Sequence, residues 1–286
     1  MNDFDFCQPR TVDEALDALS AGDGRVMPIA GGTNLMVNLK RAPLEADRVV
    51  DLSRIDGLAR IEERDGVLAI GAGVTFAQLL DWRPGGAVAG LLGPMSAQFA
   101  GPLTRNLATI GGNLCDASPA ADLSPPLLAL EAGVTLASAR RGSRSLPLED
   151  FFLGPRRTIR RADELLTRVE IPRPEGNERY FYYKLGKRRA DAISIVSVAL
   201  SVRLRDGLVE RARLALGAVG PVAMRVREAE DFLSGRPLDE SAIGAAARRA
   251  AAESRPIDDF RASASYRRDM VEVLVRRGLR RIATPT

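Results

Sequence analysis

Ala108-Thr109-Ile110-Gly111-Gly112-Asn113-Leu114-Cys115-Asp116-Ala117-Ser118-Pro119-Ala120-Ala121-Asp122 is the stretch whose reading decides this chain. Paired glycines let backbone N–H groups come close to a phosphate, and a helix beginning just beyond them adds a favourable dipole for an anion. The competing reading of the pair alone is a tight turn. Beyond Asn113 the sequence stays polar and turn-rich up to Asp122. Ser124-Pro125-Pro126 then opens LLALEAG, with proline in the first turn and Gly133 past the end, the asymmetry expected of a helix. Asp122 thus falls in the N-cap region of that helix and is also a candidate acceptor for sugar hydroxyls.

The pattern occurs twice. Ala30-Gly31-Gly32-Thr33-Asn34 follows the strand-like run Arg25 to Ala30 and precedes the helix-like LMVNLK, so this glycine pair sits on a strand-to-helix turn. Two such loops suit a pyrophosphate. Neither is a Walker loop, because no Lys-Ser/Thr follows. Gly71-Ala72-Gly73 lacks the third glycine of a dinucleotide fingerprint and reads as a strand bend or turn.

Outward from these loops, Thr11 to Ser20 opens with a capping-box pair, Thr11 and Glu14, and predicts a short amphipathic helix. Arg48 to Leu52 and Val67 to Val74 read as strands, and Thr75 with Gln78 starts a second capped helix running to Trp82. Strands at Val134 to Ala139 and Leu165 to Ile171 are followed by the breaker Pro172-Arg173-Pro174-Glu175-Gly176, which predicts a domain boundary. Tyr180 to Leu185 and Ile193 to Leu204 are strand-like, and Asp206-Gly207 before Val209 to Val219 is a strong hairpin signal. Helical patterns cover Ala223 to Leu233, Ser241 to Glu253 and Ser265 to Arg280. The C-terminal part is therefore α+β.

Composition narrows the chemistry. With 286 residues, 45% hydrophobic and 27% charged, the chain has the profile of an ordinary globular protein with two domains or one large one. No run approaches the ~18 apolar residues of a membrane span, and the start MNDFDFCQPR carries no apolar signal-peptide region, so a cytoplasmic protein is expected. Two cysteines, Cys7 and Cys115, cannot by themselves hold a disulfide framework, a four-cysteine zinc site or an iron–sulfur cluster. The count of histidines is zero, which removes Ser-His-Asp triads, HExxH sites and any flavin tethered through histidine. The net charge of +4 comes from arginines interleaved with acids, without aromatic platforms, and does not point to nucleic acid. Lysine occurs only at positions 40, 184 and 187. Lys184 ends the aromatic run Tyr180-Phe181-Tyr182-Tyr183, where a compact ammonium is a different tool from a guanidinium; drift is the bland alternative.

Taken together and in order, PIAGGTNLM, ATIGGNLCDASPAAD leading into SPPLLALEA, DELLTRVEIP and YYKLGKRRADAISIVSVAL resemble the FAD-binding subunit of molybdenum hydroxylases, the family of xanthine dehydrogenase flavin subunits and the medium chain of aerobic carbon monoxide dehydrogenase. The resemblance spans essentially the whole chain. It implies an α+β fold with an N-terminal FAD-binding domain of the vanillyl-alcohol-oxidase (PCMH) type over 1–176, in subdomains of about 1–57 and 58–176, and a C-terminal α+β domain with an antiparallel sheet over 177–286.

The resemblance further implies a non-covalent FAD whose pyrophosphate lies between the first loop, Ile29, Ala30, Gly31, Gly32, Thr33, Asn34, Leu35 and Met36, and the second, Thr109, Ile110, Gly111, Gly112 and Asn113. Asp122 falls where the family has its FAD-binding aspartate, and Phe99, Leu166 and Lys184 match positions beside the flavin. A charged loop near the ring corresponds to Lys187 to Asp191. No catalytic side chain and no metal ligand is expected in this chain. Molybdopterin and 2Fe–2S clusters would reside on a large and a small partner subunit, in a dimer of heterotrimers, with this chain relaying electrons to an acceptor. A free-standing flavin oxidoreductase and a flavin-free assembly subunit are the alternative readings. Two departures stand out: the four-cysteine insertion of the benzoyl-CoA-type branch is lacking, and the first loop differs from the AGGHS of the carbon monoxide dehydrogenase branch.

Overall fold

A computed structural model describes residues 4–21, 25–40, 46–82, 87–173, 177–188 and 191–284. The chain packs into two compact units, one built from 1–79, 101–116 and 132–172, the other from 80–100, 117–131 and 173–286. The second unit thus takes two inserts from the N-terminal half. The breaker residues Pro174, Glu175 and Gly176, and with them the expected boundary at 176, lie outside the described residues, as do Arg189 and Ala190 of the charged loop.

The first unit holds two main sheets. Strands β1 (Asp5–Cys7), β2 (Val26–Ile29) and β3 (Arg48–Asp51) form a parallel sheet in the order β1-β3-β2. The helix Val12–Ser20 packs Ala15, Leu16 and Leu19 into a core with Val50, Ile55 and Leu58. Its capping signal is realised: the Glu14 N–H donates to Thr11 Oγ1 at 3.1 Å, and Glu14 Oε2 accepts from the Arg10 N–H at 2.8 Å. Strands β4 (Ile61–Arg64), β5 (Val67–Gly71), β6 (Gly133–Ser138), β7 (Gly142–Pro147) and later β10 (Leu165–Pro172) make an antiparallel sheet in the order β4-β5-β10-β6-β7. Between them, β8 (Phe152–Gly154) and β9 (Arg157–Thr158) form a small hairpin.

The second unit is organised on one antiparallel sheet, β11 (Glu178–Leu185), β12 (Val196–Arg205), β13 (Leu208–Gly217) and β14 (Met224–Arg225), in sequential order. Asp206 and Gly207 join β12 to β13 with φ of 52° and 79°, the double left-handed turn that the Asp-Gly pair predicts. Because side chains alternate along a strand, β11 has two faces. Phe181, Tyr183 and Leu185 join the apolar core of Val198, Leu200, Leu214 and Leu216 beneath the helices Glu240–Glu253 and Ala264–Ala283. A Cβ on Gly278 would lie 2.5 Å from Phe181, so the last helix rides directly on the sheet. On the other face, Gly90 of the helix Ala87–Gln98 lies against the Tyr180 ring.

The structure departs from the sequence reading at several edges. The helix expected to run up to Gly133 ends at Ala129; Glu131 takes the left-handed turn at φ 54° and Gly133, past the helix end as expected, already begins β6. The helix expected from Ala223 begins at Arg227, because Met224 and Arg225 pair with β13. The strand from Val67 stops at Gly71, where a Cβ would stand 2.2 Å from the Leu58 carbonyl oxygen; at Gly73 the nearest approach is a looser 3.0 Å. Three further helices, Ala87–Gln98, Pro102–Leu107 and Ile110–Asp116, have no clear periodic signal: the first carries Pro94 inside it and all are glycine-rich or short.

Candidate functional site

The first glycine loop abuts the segment that leads into the second. A Cβ on Gly31 would fall 1.7 Å from the Leu107 carbonyl oxygen, so the first loop runs directly against the backbone that leads into Thr109. Gly32 has φ +66°, a conformation natural only to glycine, and turns the chain from β2 into the helix Leu35–Leu39. None of the N–H groups of Gly32, Thr33 and Asn34 donates to another group among the described residues. Consecutive free amides around a left-handed residue form a concavity for an anion. Ile29, Ala30, Leu35 and Met36 frame this turn, Met36 half exposed.

The second loop is built differently. Its amides are engaged within the chain: Ile110 donates to Val74 O at 2.9 Å, Gly111 to Ala72 O at 2.7 Å, Asn113 to Thr109 O at 3.0 Å, and Gly112 to Thr109 Oγ1 at 3.1 Å. Gly111 is required by packing, since a Cβ there would lie 2.7 Å from that of Ala72. Gly112 is exposed, sits at the start of a helix rather than at a positive φ, and has only Thr109 Oγ1 near it, at 2.9 Å. Two polar groups remain for a ligand: the Thr109 hydroxyl proton and Asn113 Oδ1, a buried acceptor without a partner. The pair of loops therefore suits a ligand that is anionic toward the first loop and carries hydroxyls toward Asn113. Leu166, on β10 opposite Leu136, is 2% exposed and belongs to the interior of the sheet.

In the second unit, Asp122 and Lys184 form a buried ion pair. Lys184 Nζ donates to Asp122 Oδ2 at 2.5 Å and to the Gln98 carbonyl at 3.1 Å, with side-chain exposures of 5% and 7% for Lys184 and Asp122. The other carboxylate oxygen accepts from Ser194 Oγ at 2.6 Å. Burial pushes the Asp122 carboxyl above its usual range, and Lys184 and Ser194 pull it back. Tyr182, on the same face of β11, has its hydroxyl buried without a partner, and burial together with the Asp122 charge drives its titration well up. Gln98 immediately precedes Phe99, whose N–H bonds to Ser96 O at 3.3 Å and whose ring is partly exposed. Asp122, Lys184 and the Gln98 carbonyl, one residue before Phe99, are thus drawn to one place by the turn before Ser124, β11 and the helix Ala87–Gln98. Asp122 is not the N-cap that its position predicts; Leu123 occupies that place.

Sequence reading missed Ser194 and the Gln98 carbonyl. A backbone carbonyl leaves no sequence signal, whereas Ser194 stands as a lone hydroxyl between Ile193 and Ile195 and was open to notice. Cys115 is only partly exposed as a residue, but burial holds its thiol above the usual range, consistent with a packing role. Among the described residues no cluster of acids and cysteines could hold a metal, and no helix is long and apolar enough to cross a membrane.

Known families match this chain over most of its length. Residues 2–174 match the family described as the FAD binding domain in molybdopterin dehydrogenase, and residues 181–282 match the CO dehydrogenase flavoprotein C-terminal domain. The glyceraldehyde dehydrogenase medium chain of Sulfolobus acidocaldarius is 31% identical over 98% of this chain and 99% of its own length. The nicotine 6-hydroxylase medium subunit of Paenarthrobacter nicotinovorans is 34% identical over 95% of this chain and 94% of its own. Among solved structures, a carbon monoxide dehydrogenase of Hydrogenophaga pseudoflava that lacks the Mo-pyranopterin moiety superimposes with a TM-score of 0.92, at 28% identity, over 98% of this chain and 97% of that one. With an α+β fold and family matches over residues 2–174 and 181–282, this chain belongs to the FAD-binding subunits of the molybdopterin dehydrogenases.

Proposed function

We propose that this chain is the FAD-binding, electron-transfer subunit of a cytoplasmic molybdenum hydroxylase, in which bound FAD supplies the two-electron redox chemistry between a 2Fe–2S partner subunit and an external acceptor. The observation that carries this reading is the first glycine loop, whose free Gly32, Thr33 and Asn34 amides form an anion cradle within a chain of this family.

Each group then has a task. The first loop, Ile29 to Met36, takes the pyrophosphate through backbone N–H groups. Gly112 keeps the second loop open on its outer side, and Thr109 and Asn113 address hydroxyls of the ligand. Within the second unit, Asp122 holds the Lys184 ammonium rather than serving as a free acceptor, and Phe99 and Lys184 are the residues that the family resemblance gives to the flavin. Leu166 contributes apolar backing from within its sheet. None of these groups moves a proton in the chemistry, and the absence of histidine fits a flavin held without a covalent bond through that residue. The N-terminal 1–176 would act as the FAD domain and 177–286 as its C-terminal companion.

The substrate-oxidising centre lies, in this reading, on a large molybdopterin subunit, and the iron–sulfur relay on a small subunit. Two cysteines cannot ligate that relay here, and relatives are named as medium subunits. The complete assembly would be a dimer of heterotrimers. Affinity purification of the tagged chain from its native source tests this: two further subunits with molybdenum and iron are expected. A lone chain that oxidises an organic substrate would contradict it.

A further inference from the structure

We propose that Ser194 is a positioning residue for the Lys184 ammonium, acting through Asp122, and that its hydroxyl helps set the reduction potential of the bound flavin. The inference rests on the assignment of Lys184 to the flavin end of the site. Ser194 lies where the connection from β11 returns to β12, just before the Ile195 N–H closes that connection on Leu185 O at 2.7 Å. It is 0% exposed, and its hydroxyl donates to Asp122 Oδ1 at 2.6 Å while Lys184 holds Oδ2. From the other side Arg261 donates to the Ser194 carbonyl at 3.2 Å; Arg261 is itself paired with Asp259, which also takes Arg267. The backbone of Ser194 is therefore anchored independently of its side chain.

A fully buried position of this kind is filled equally well by a small apolar side chain if packing is its whole purpose. A hydroxyl aimed at a carboxylate has a use only if that carboxylate is to stay ionised, because it bonds more strongly to the charged form. The ionisable and polar groups facing Asp122 are Lys184 and Tyr182 from β11 and Ser194 from the connection. Tyr182 does not donate to it. Without the Ser194 hydroxyl, Lys184 alone opposes the burial that drives Asp122 to take up a proton. Once Asp122 is neutral, the Lys184 charge is no longer balanced, and an unbalanced cation near the flavin favours its reduction.

The test is redox potentiometry of the FAD-reconstituted full chain across pH, comparing the parent with Ser194→Ala and Ser194→Thr. In Ser194→Ala the pH range over which the potential rises more steeply than the flavin's own proton uptake requires should move upward by about one unit, a tenfold gain in the proton affinity of Asp122, as loss of a hydrogen bond to a charged group implies. Ser194→Thr, which keeps the hydroxyl, should return the profile toward the parent. Superimposed profiles of the parent and Ser194→Ala, both holding FAD, would overturn this inference alone. A Ser194→Ala displacement that Ser194→Thr reproduces instead of reversing would assign the effect to packing and overturn it as well. A parent chain that takes up no FAD would overturn both the inference and the functional reading beneath it.

Discussion

Gly31 rests on the Leu107 backbone so closely that a Cβ would stand 1.7 Å from its carbonyl oxygen. This contact joins the first glycine loop to the segment entering the second, and it involves backbone that cannot swing away. Gly31→Ala should therefore cost about 3 kcal/mol or more through overpacking. Chemical denaturation of the full chain measures it; a loss below about 0.5 kcal/mol, the size of an ordinary surface change, would show that the loops are not locked in this way.

Gly112 is the contrasting glycine. It is exposed, and the one atom near a Cβ there is the end of a threonine side chain. Gly112→Val should leave a folded chain but place a branched group on the open side of the loop, lowering FAD affinity well over tenfold, about 1.4 kcal/mol or more. Flavin fluorescence titration of the folded variant reads this directly. Affinity equal to the parent's would remove the second loop from the site.

Asp122 and Lys184 give a stability test that is independent of FAD. Each is almost fully buried against the other, so Asp122→Ala leaves an uncompensated buried ammonium, at an expected cost of 3 to 5 kcal/mol, on the order typical of broken buried pairs. Lys184→Met should cost a similar amount for the opposite reason. The double variant should lose markedly less than the sum of the two, because no charge is then left stranded. Additive losses from a double-mutant cycle would contradict a direct pair.

The sequence was most legible where local chemistry and final structure agree. Thr11 with Glu14 and Thr75 with Gln78 read as helix starts and are capped as read; the Thr75 N–H donates to Gln78 Oε1 at 2.9 Å and the Gln78 N–H to Thr75 Oγ1 at 3.2 Å. Asp206-Gly207 likewise names its own turn. The glycine pairs were legible as special but not as unlike one another. Gly31 and Gly111 answer to their own chain, Gly32 to its backbone angle, and Gly112 is left open. For Gly31 and Gly111 the distinction depends on partners tens of residues away, Leu107 and Ala72. The same holds for Ser194, whose meaning comes from Asp122, seventy-two positions earlier, and for Glu131, whose carboxylate binds Arg213 at 2.7 Å from β13.

Whether this chain itself holds FAD is measured most directly by the flavin content of the purified, reconstituted full chain before and after acid precipitation. One FAD per chain is expected, released entirely into the supernatant and identified there as FAD. A chain that binds no flavin after reconstitution, or whose flavin stays with the precipitated protein, would contradict that expectation.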